Sequence, residues 1–304
     1  MLTLAHCQPF SHLHPPLSVK RTRTRTRASM DPTVSKPAVT GFPYLPPSHR
    51  DLMVDLLSSI EARLGPTLLP SRVPPDVLYF ENQQGTSQGA LDIRSGAQDS
   101  SVDFILQSWL HCKVPTGDLN ITTVFAFLNA STDAPHLLME FIQGSPTSLI
   151  LFMDLLPRKD LVLHPEYLDE FYNTTNLDKS RQDLNQLPQV SPYLSSSLYI
   201  RSVLSPTATA VNVNCGEGGE SCFEELIRVH VSQAAKDIVG VWTNKCVNKM
   251  KALEESERVG LLKRDELIKN KTVEIDLAAN LPRLFGSEVA SRVVAEIQKA
   301  FRIR

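Results

Sequence analysis

The first 30 residues contain no aspartate or glutamate; Asp31 is the first acid. Lys20, Arg21, Arg23, Arg25 and Arg27 carry positive charge there, with threonine and serine among them. An arginine-rich, hydroxylated, acid-free start is the pattern of an organelle transit peptide, and Leu2 to Ala5 is too short an apolar run for a secretory signal. Residues 1–30 are therefore expected to be a targeting segment; a basic nucleic-acid arm is the alternative.

Other absences narrow the class. No apolar run approaches the roughly 18 residues of a spanning helix, and the strongest, Leu149 to Leu156, is broken by Asp154. A formal net charge of -2 gives no global field for nucleic acid or an anionic membrane. The five cysteines, Cys7, Cys112, Cys215, Cys222 and Cys246, form no C-x-x-C pair. That spacing argues for a reducing compartment without a disulfide framework.

Short motifs fail on context. Gly85-Thr86-Ser87-Gln88-Gly89 spells G-x-S-x-G, but polar Glu81 to Gln84 precede it and a strand-like segment follows, whereas a nucleophile elbow needs a strand before and a helix after. Gly216, Gly218 and Gly219 miss the dinucleotide fingerprint because residue 221 is Ser221. His111, His136, His164 and His230 have no H-x-x-x-H spacing, so no metal site is expected.

What is present reads as a folded enzyme-sized chain. Prolines at 32, 37, 43, 46 and 47 mark residues 31–47 as a linker. Ser48 is placed to cap a helix whose apolar face is Leu52, Leu56, Leu57, Ile60 and Leu64. Strands are predicted near 88–94, 101–113, 119–128, 136–143, 147–155 and 197–213, with a polar, partly helical excursion over 164–188. Helix is predicted from Glu220 to about Lys271, with a break near 250, and from Ser287 to Phe301. Strands in the middle and helices at both ends predict an α+β fold, one antiparallel sheet covered by helices on both faces, as a single domain over 48–304.

Longer phrases carry a resemblance. They are Asp133-Ala134-Pro135-His136-Leu137-Leu138-Met139-Glu140-Phe141, then Ser145-Pro146-Thr147-Ser148-Leu149, then Pro157-Arg158-Lys159-Asp160-Leu161-Val162-Leu163-His164-Pro165. Ser195 to Arg201, Ser205-Pro206-Thr207-Ala208, Glu274-Ile275-Asp276-Leu277 and Pro282-Arg283-Leu284-Phe285-Gly286 follow. In this order the chain resembles the red chlorophyll catabolite reductase family of plants, which belongs with the ferredoxin-dependent bilin reductases. The resemblance implies an α/β/α sandwich, a homodimer and no bound metal or flavin. It places the protein in the chloroplast stroma; a further address in mitochondria is left open. The reaction it implies is reduction of the C1/C20 methine bridge of an open-chain tetrapyrrole, red chlorophyll catabolite, to the primary fluorescent catabolite. Electrons would come from reduced ferredoxin, an external donor, and substrate from pheophorbide a oxygenase. A non-catalytic tetrapyrrole carrier or scaffold is the alternative.

Protonating a pigment radical calls for acids in a low-dielectric pocket. Glu140 is the only charge in Leu137 to Ile142, and strand alternation puts it on one face with Leu138 and Ile142. Buried unpaired, it would cost several kcal/mol or take up a proton; a paired or edge-facing Glu is the bland alternative. Asp276 is the second candidate, although an Asp ahead of Ala278 and Ala279 also suits a helix cap. The resemblance implies that both face the substrate, as proton donors or anchors. Asp154, with Phe152 and Ile150, is a third. Arg158, Lys159, Lys263, Arg264, Lys269 and Lys271 are the cations considered for ferredoxin docking.

Overall fold

The computed structural model describes residues 39–247 and 249–303. The targeting segment expected over 1–30, with Cys7, lies outside the described residues.

The sheet is built from a meander. Strands β1 (Tyr79–Glu81), β2 (Ser87–Ser95), β3 (Val102–Val114), β4 (Gly117–Leu128), β5 (His136–Ser145) and β6 (Ser148–Leu156) pair with their sequence neighbours. Strands β7 (Val190–Pro192) and β8 (Thr209–Asn214) complete the order β1-β2-β3-β4-β5-β6-β8-β7. Every pairing is antiparallel. Hairpins as short as Pro115-Thr116, ahead of Gly117 at φ 130°, turn the chain back directly.

Both faces of this sheet are covered, so its central strands read as apolar runs rather than alternating ones. One face, carrying Val124, Ala126, Met139, Phe141 and Leu151, packs under α1 (Pro47–Leu64), α3 (Pro165–Leu168), α4 (Leu177–Asn185), α6 (Gly219–Leu226) and α7 (Ser232–Val241). The other, carrying Leu106, Phe125, Phe127, Leu138 and Ile142, packs under α2 (Pro75–Leu78), α5 (Leu198–Val203), α8 (Glu255–Thr272), α9 (Ala278–Phe285) and α10 (Ser287–Phe301). Burying each Val, Leu, Ile, Phe or Met side chain here stabilises the fold by roughly 1.5–3 kcal/mol. The α/β/α sandwich expected from the sequence is the observed architecture.

Several local expectations need correction. The proline-rich stretch is not a linker to its end: Val39–Gly41 form a helical turn, and Phe42 and Leu45 are buried in the core. Helix α1 begins with Pro47 at its first position, Ser48 makes no side-chain cap, and its buried Oγ has no hydrogen-bond partner among the described residues. The strand expected over 197–213 is two elements. Ser197 Oγ accepts from Ile200 N and caps α5, and only Thr209–Asn214 joins the sheet. The helix expected to end near Lys271 continues. A π turn at Val273–Leu277 links α8 to α9, so the chain is helical from Glu255 to Phe285.

The failed motifs are ordinary turns. Gly85, at φ 66°, closes the β1–β2 hairpin in which Glu81 faces Gln88. Gly216 and Gly219, at φ 49° and 70°, turn the chain from β8 into α6.

Candidate active site

The layer between the sheet and the α5, α8, α9 and α10 helices holds the candidate acids. Register sets the floor: Ser108, Thr123, Glu140 and Phe152 stand side by side on β3, β4, β5 and β6. Glu140 is fully buried on an internal strand, and Thr123 Oγ1 donates to its Oε1 at 3.3 Å. The edge-facing alternative is thereby excluded. Leu138 and Ile142 flank it within the apolar cluster of this layer.

Asp154 stands on the same floor. It is opposite Leu138, while Glu140 is opposite Phe152, so the two acids are diagonal neighbours on adjacent strands. Both oxygens of Asp154 are held by one residue of the α5–β8 connection: Ser205 N donates to Oδ2 at 2.7 Å and Ser205 Oγ to Oδ1 at 2.5 Å. Burial outweighs these bonds and pushes the Asp154 carboxyl up to about 7.

Asp276 comes from the roof. It is buried within the π turn, flanked by Val273 and Leu277, which belong to the same apolar cluster as Leu138 and Ile142. Asn280 Nδ2 donates to its Oδ1 at 3.1 Å and to its backbone O at 3.0 Å. The capping alternative is excluded, because the residue lies inside a continuous helix. The π turn alters the helical phase at this point, and such turns are frequent at functional sites.

One end of the layer is an ion cluster. Arg158, on the connection after β6, grips Asp265 of α8 with Nη2–Oδ2 at 2.7 Å and Nε–Oδ1 at 3.2 Å. His136 Nδ1 accepts from Leu128 N at 3.0 Å, which leaves its Nε2 to donate to Asp265 Oδ1 at 2.8 Å. Burial drives the His136 imidazole down to about 4. Lys159 pairs with Asp133 and Glu257, and Lys269 pairs with Asp103 and lies over Phe127. Arg158, Lys159 and Lys269 are therefore structural and leave the ferredoxin-docking set; Arg264 donates to the Pro157 carbonyl. Lys263 is exposed, and Lys271 is partly exposed beside Glu274. Sequence alone assigned no role to Ser205 or Asp265, whose significance lies in partners far along the chain.

Among the described residues no three His, Cys, Asp or Glu side chains converge as a metal-holding group, and no helix is long and apolar enough to cross a membrane.

The fold is shared with phytochromobilin synthase from tomato, solved in complex with biliverdin, at a TM-score of 0.61 and 15% identity, covering 83% of this chain and 82% of that one. Red chlorophyll catabolite reductase 1, chloroplastic, of Oryza sativa subsp. japonica is 51% identical over 259 residues, 84% of this chain and 79% of the relative. Red chlorophyll catabolite reductase, chloroplastic, of Arabidopsis thaliana is 48% identical over 266 residues, 86% and 83%. Red chlorophyll catabolite reductase of Hordeum vulgare is 52% identical over 203 residues, 67% and 99%. The family model for red chlorophyll catabolite reductase (RCC reductase) matches residues 48–299, and the chain belongs to that family.

Proposed function

We propose that this protein reduces the C1/C20 methine bridge of red chlorophyll catabolite to the primary fluorescent catabolite, in the chloroplast, with electrons from reduced ferredoxin. The observation that carries the reading is the presence, in a chain of this family, of Glu140, Asp154 and Asp276 buried in one apolar layer. A conjugated tetrapyrrole accepts single electrons because the radical spreads over its π-system. Plant-type ferredoxins, near about -400 mV, are reducing enough to supply them.

The protein's tasks are then to bind the pigment, exclude water and oxygen, and move protons. Glu140 and Asp276, from floor and roof, bracket the layer and act as proton donors or pigment anchors. Because Glu140 has no exposed surface, pigment entry requires the helical roof to move away from the sheet. No dinucleotide fingerprint or flavin is part of the reading; ferredoxin is an external donor docking on a basic patch that includes Lys263 and Lys271. A homodimer and supply of substrate by pheophorbide a oxygenase belong to the same proposal.

The test is anaerobic mixing of protein, pigment and a ferredoxin-reducing system, without and with ferredoxin. Ferredoxin-dependent appearance of a fluorescent product is expected, weakening as salt screens the docking charges. Bound but unaltered pigment would instead identify a carrier.

A further inference from the structure

Reduction by two electrons consumes two protons, and the acids that would supply them are sealed from solvent. Glu140 is 0% exposed and Asp154 1%. A donor in such a place works once and must then be recharged through the protein. The described residues include a hydrogen-bonded route of the right kind. Ser205 Oγ lies 2.5 Å from Asp154 Oδ1, and Thr207 Oγ1 lies 3.1 Å from Ser205 Oγ. Thr207 is half-buried, Ser205 buried, and Asp154 on the floor, so the three oxygens run from a partly exposed residue to the interlayer.

We propose that Thr207, Ser205 and Asp154 form a proton-entry path, with Asp154 as the relay acid that recharges the donors facing the pigment. The proposal rests on the reading that this layer reduces a pigment.

The chemistry of the chain suits inward transfer. A hydroxyl has one proton and two lone pairs. Ser205 Oγ accepts from Thr207 N at 3.1 Å, leaving one lone pair for Thr207 Oγ1–H and its own proton for Asp154. With Asp154 ionised, both hydroxyls point inward. Proton uptake at Thr207 from hydronium shifts the Thr207 proton to Ser205 and the Ser205 proton to Asp154, giving a neutral carboxylic acid and water. Rotation of the two hydroxyls resets the chain. Ser205 N, donating to Oδ2 at 2.7 Å, keeps the carboxyl in line throughout. The turn itself is fixed: Pro206 follows Ser205, and Ala208 N donates to Ser205 O at 3.2 Å.

The inner end also fits. Diagonal residues on adjacent strands are roughly 7–8 Å apart, a gap that two carboxyl side chains and one water or pigment N–H can bridge. Burial raises the Asp154 carboxyl to about 7, so charged and neutral forms coexist at neutral pH, as a relay requires. Asp154 is thus assigned as a positioning and relay residue rather than as the group that touches the pigment.

The experiment compares Ser205→Ala and Thr207→Val with Ser205→Thr and Thr207→Ser, which keep the hydroxyls. Three quantities are read: the rate of a single turnover, the rate of repeated turnover in H2O and D2O, and the rate at which the protonated Asp154 carboxyl exchanges with D2O. Infrared absorption reports the last, assigned by its loss in Asp154→Asn. The path predicts single turnover close to wild type, because protons are already stored. It predicts repeated turnover slowed by about tenfold or more, with a larger solvent isotope effect. Carboxyl exchange slows in step, and the hydroxyl-retaining variants recover both.

Wild-type repeated turnover and exchange in folded Ser205→Ala and Thr207→Val would overturn the path while leaving the reductase reading intact. Should Ser205→Ala not fold, Thr207→Val, at a half-buried turn position, decides alone. A wild-type protein that reduces no pigment would remove the underlying reading. The infrared exchange, which needs no pigment, would still show whether the chain carries protons.

Discussion

Arg158 and Asp265 are 107 residues apart in sequence and meet as a buried two-point ion pair at 2.7 and 3.2 Å. Arg158 makes two further bonds: Nη1 donates to the carbonyls of Asn129 and Thr132 at 3.0 and 2.6 Å. The pair ties the connection after β6 to α8 and so fixes one end of the roof over the sheet.

Removing one member of a buried pair leaves the other uncompensated, which costs about 3–5 kcal/mol. Arg158→Met is therefore expected to lower the unfolding midpoint steeply in urea. The salt dependence of turnover at equal folded fraction should stay as in wild type. Unchanged stability with altered salt dependence would show that Arg158 docks a partner after all.

Stability against pH is predicted from three buried groups. His49, hydrogen-bonded to Gln143, and His136 are lowered to about 4, so the unfolded chain binds more protons than the native one between about 4 and 6.5. Their contribution is present above 6.5 and is lost as pH falls towards 4. Asp154, raised to about 7, has the opposite sign: the native chain binds the extra proton between about 4 and 7, so its contribution grows as pH falls. From pH 7 to 5 each histidine removes about 2 kcal/mol and Asp154 restores about 2 kcal/mol. The wild type should lose only about 1–2 kcal/mol, whereas Asp154→Asn should lose about 4 kcal/mol. Urea titrations at the two pH values test this; equal slopes for both proteins would contradict the buried state of Asp154.

Asp276→Asn should not be silent. At a helix start Asn caps about as well as Asp, but Asp276 lies inside the helix from Glu255 to Phe285. Asn at 276 keeps the shape of the side chain and loses the acid. Proton transfer from a positioned acid is worth about 10²–10⁴ in rate, so a donor role predicts a loss of that size with the fold retained. An anchoring role predicts weaker pigment binding and a smaller change in the chemical step. Pigment titration and rapid-mixing kinetics separate the two, and full activity with wild-type binding would take Asp276 out of the site.

Much of this architecture was legible in the sequence because burial on both faces makes β3 to β6 continuous apolar runs. In such a run a lone Glu140 stands out. The misreadings came where a local or distant partner decided the outcome. Leu198 to Val203 has strand-like composition, yet Ser197 caps it as a helix. For Asp276 the alternative of a helix cap stayed open, because a π turn leaves no composition signal. Arg158, Lys159 and Lys269 looked like surface charge because Asp265, Asp133, Glu257 and Asp103 reach them only through the fold. Ser205 gained its meaning the same way, from Asp154 51 residues earlier.

Glu140→Gln decides whether a buried acid in this layer protonates a ferredoxin-reduced pigment. The amide is nearly isosteric and removes a buried acid, so packing should survive. Thr123 Oγ1 keeps an oxygen to bond. The measurement is anaerobic single-turnover reduction at saturating pigment and reduced ferredoxin, alongside thermal unfolding. The variant is expected to fold, bind pigment and accept electrons but to form fluorescent product about 10²–10⁴ more slowly. Product formation at the wild-type rate would contradict it.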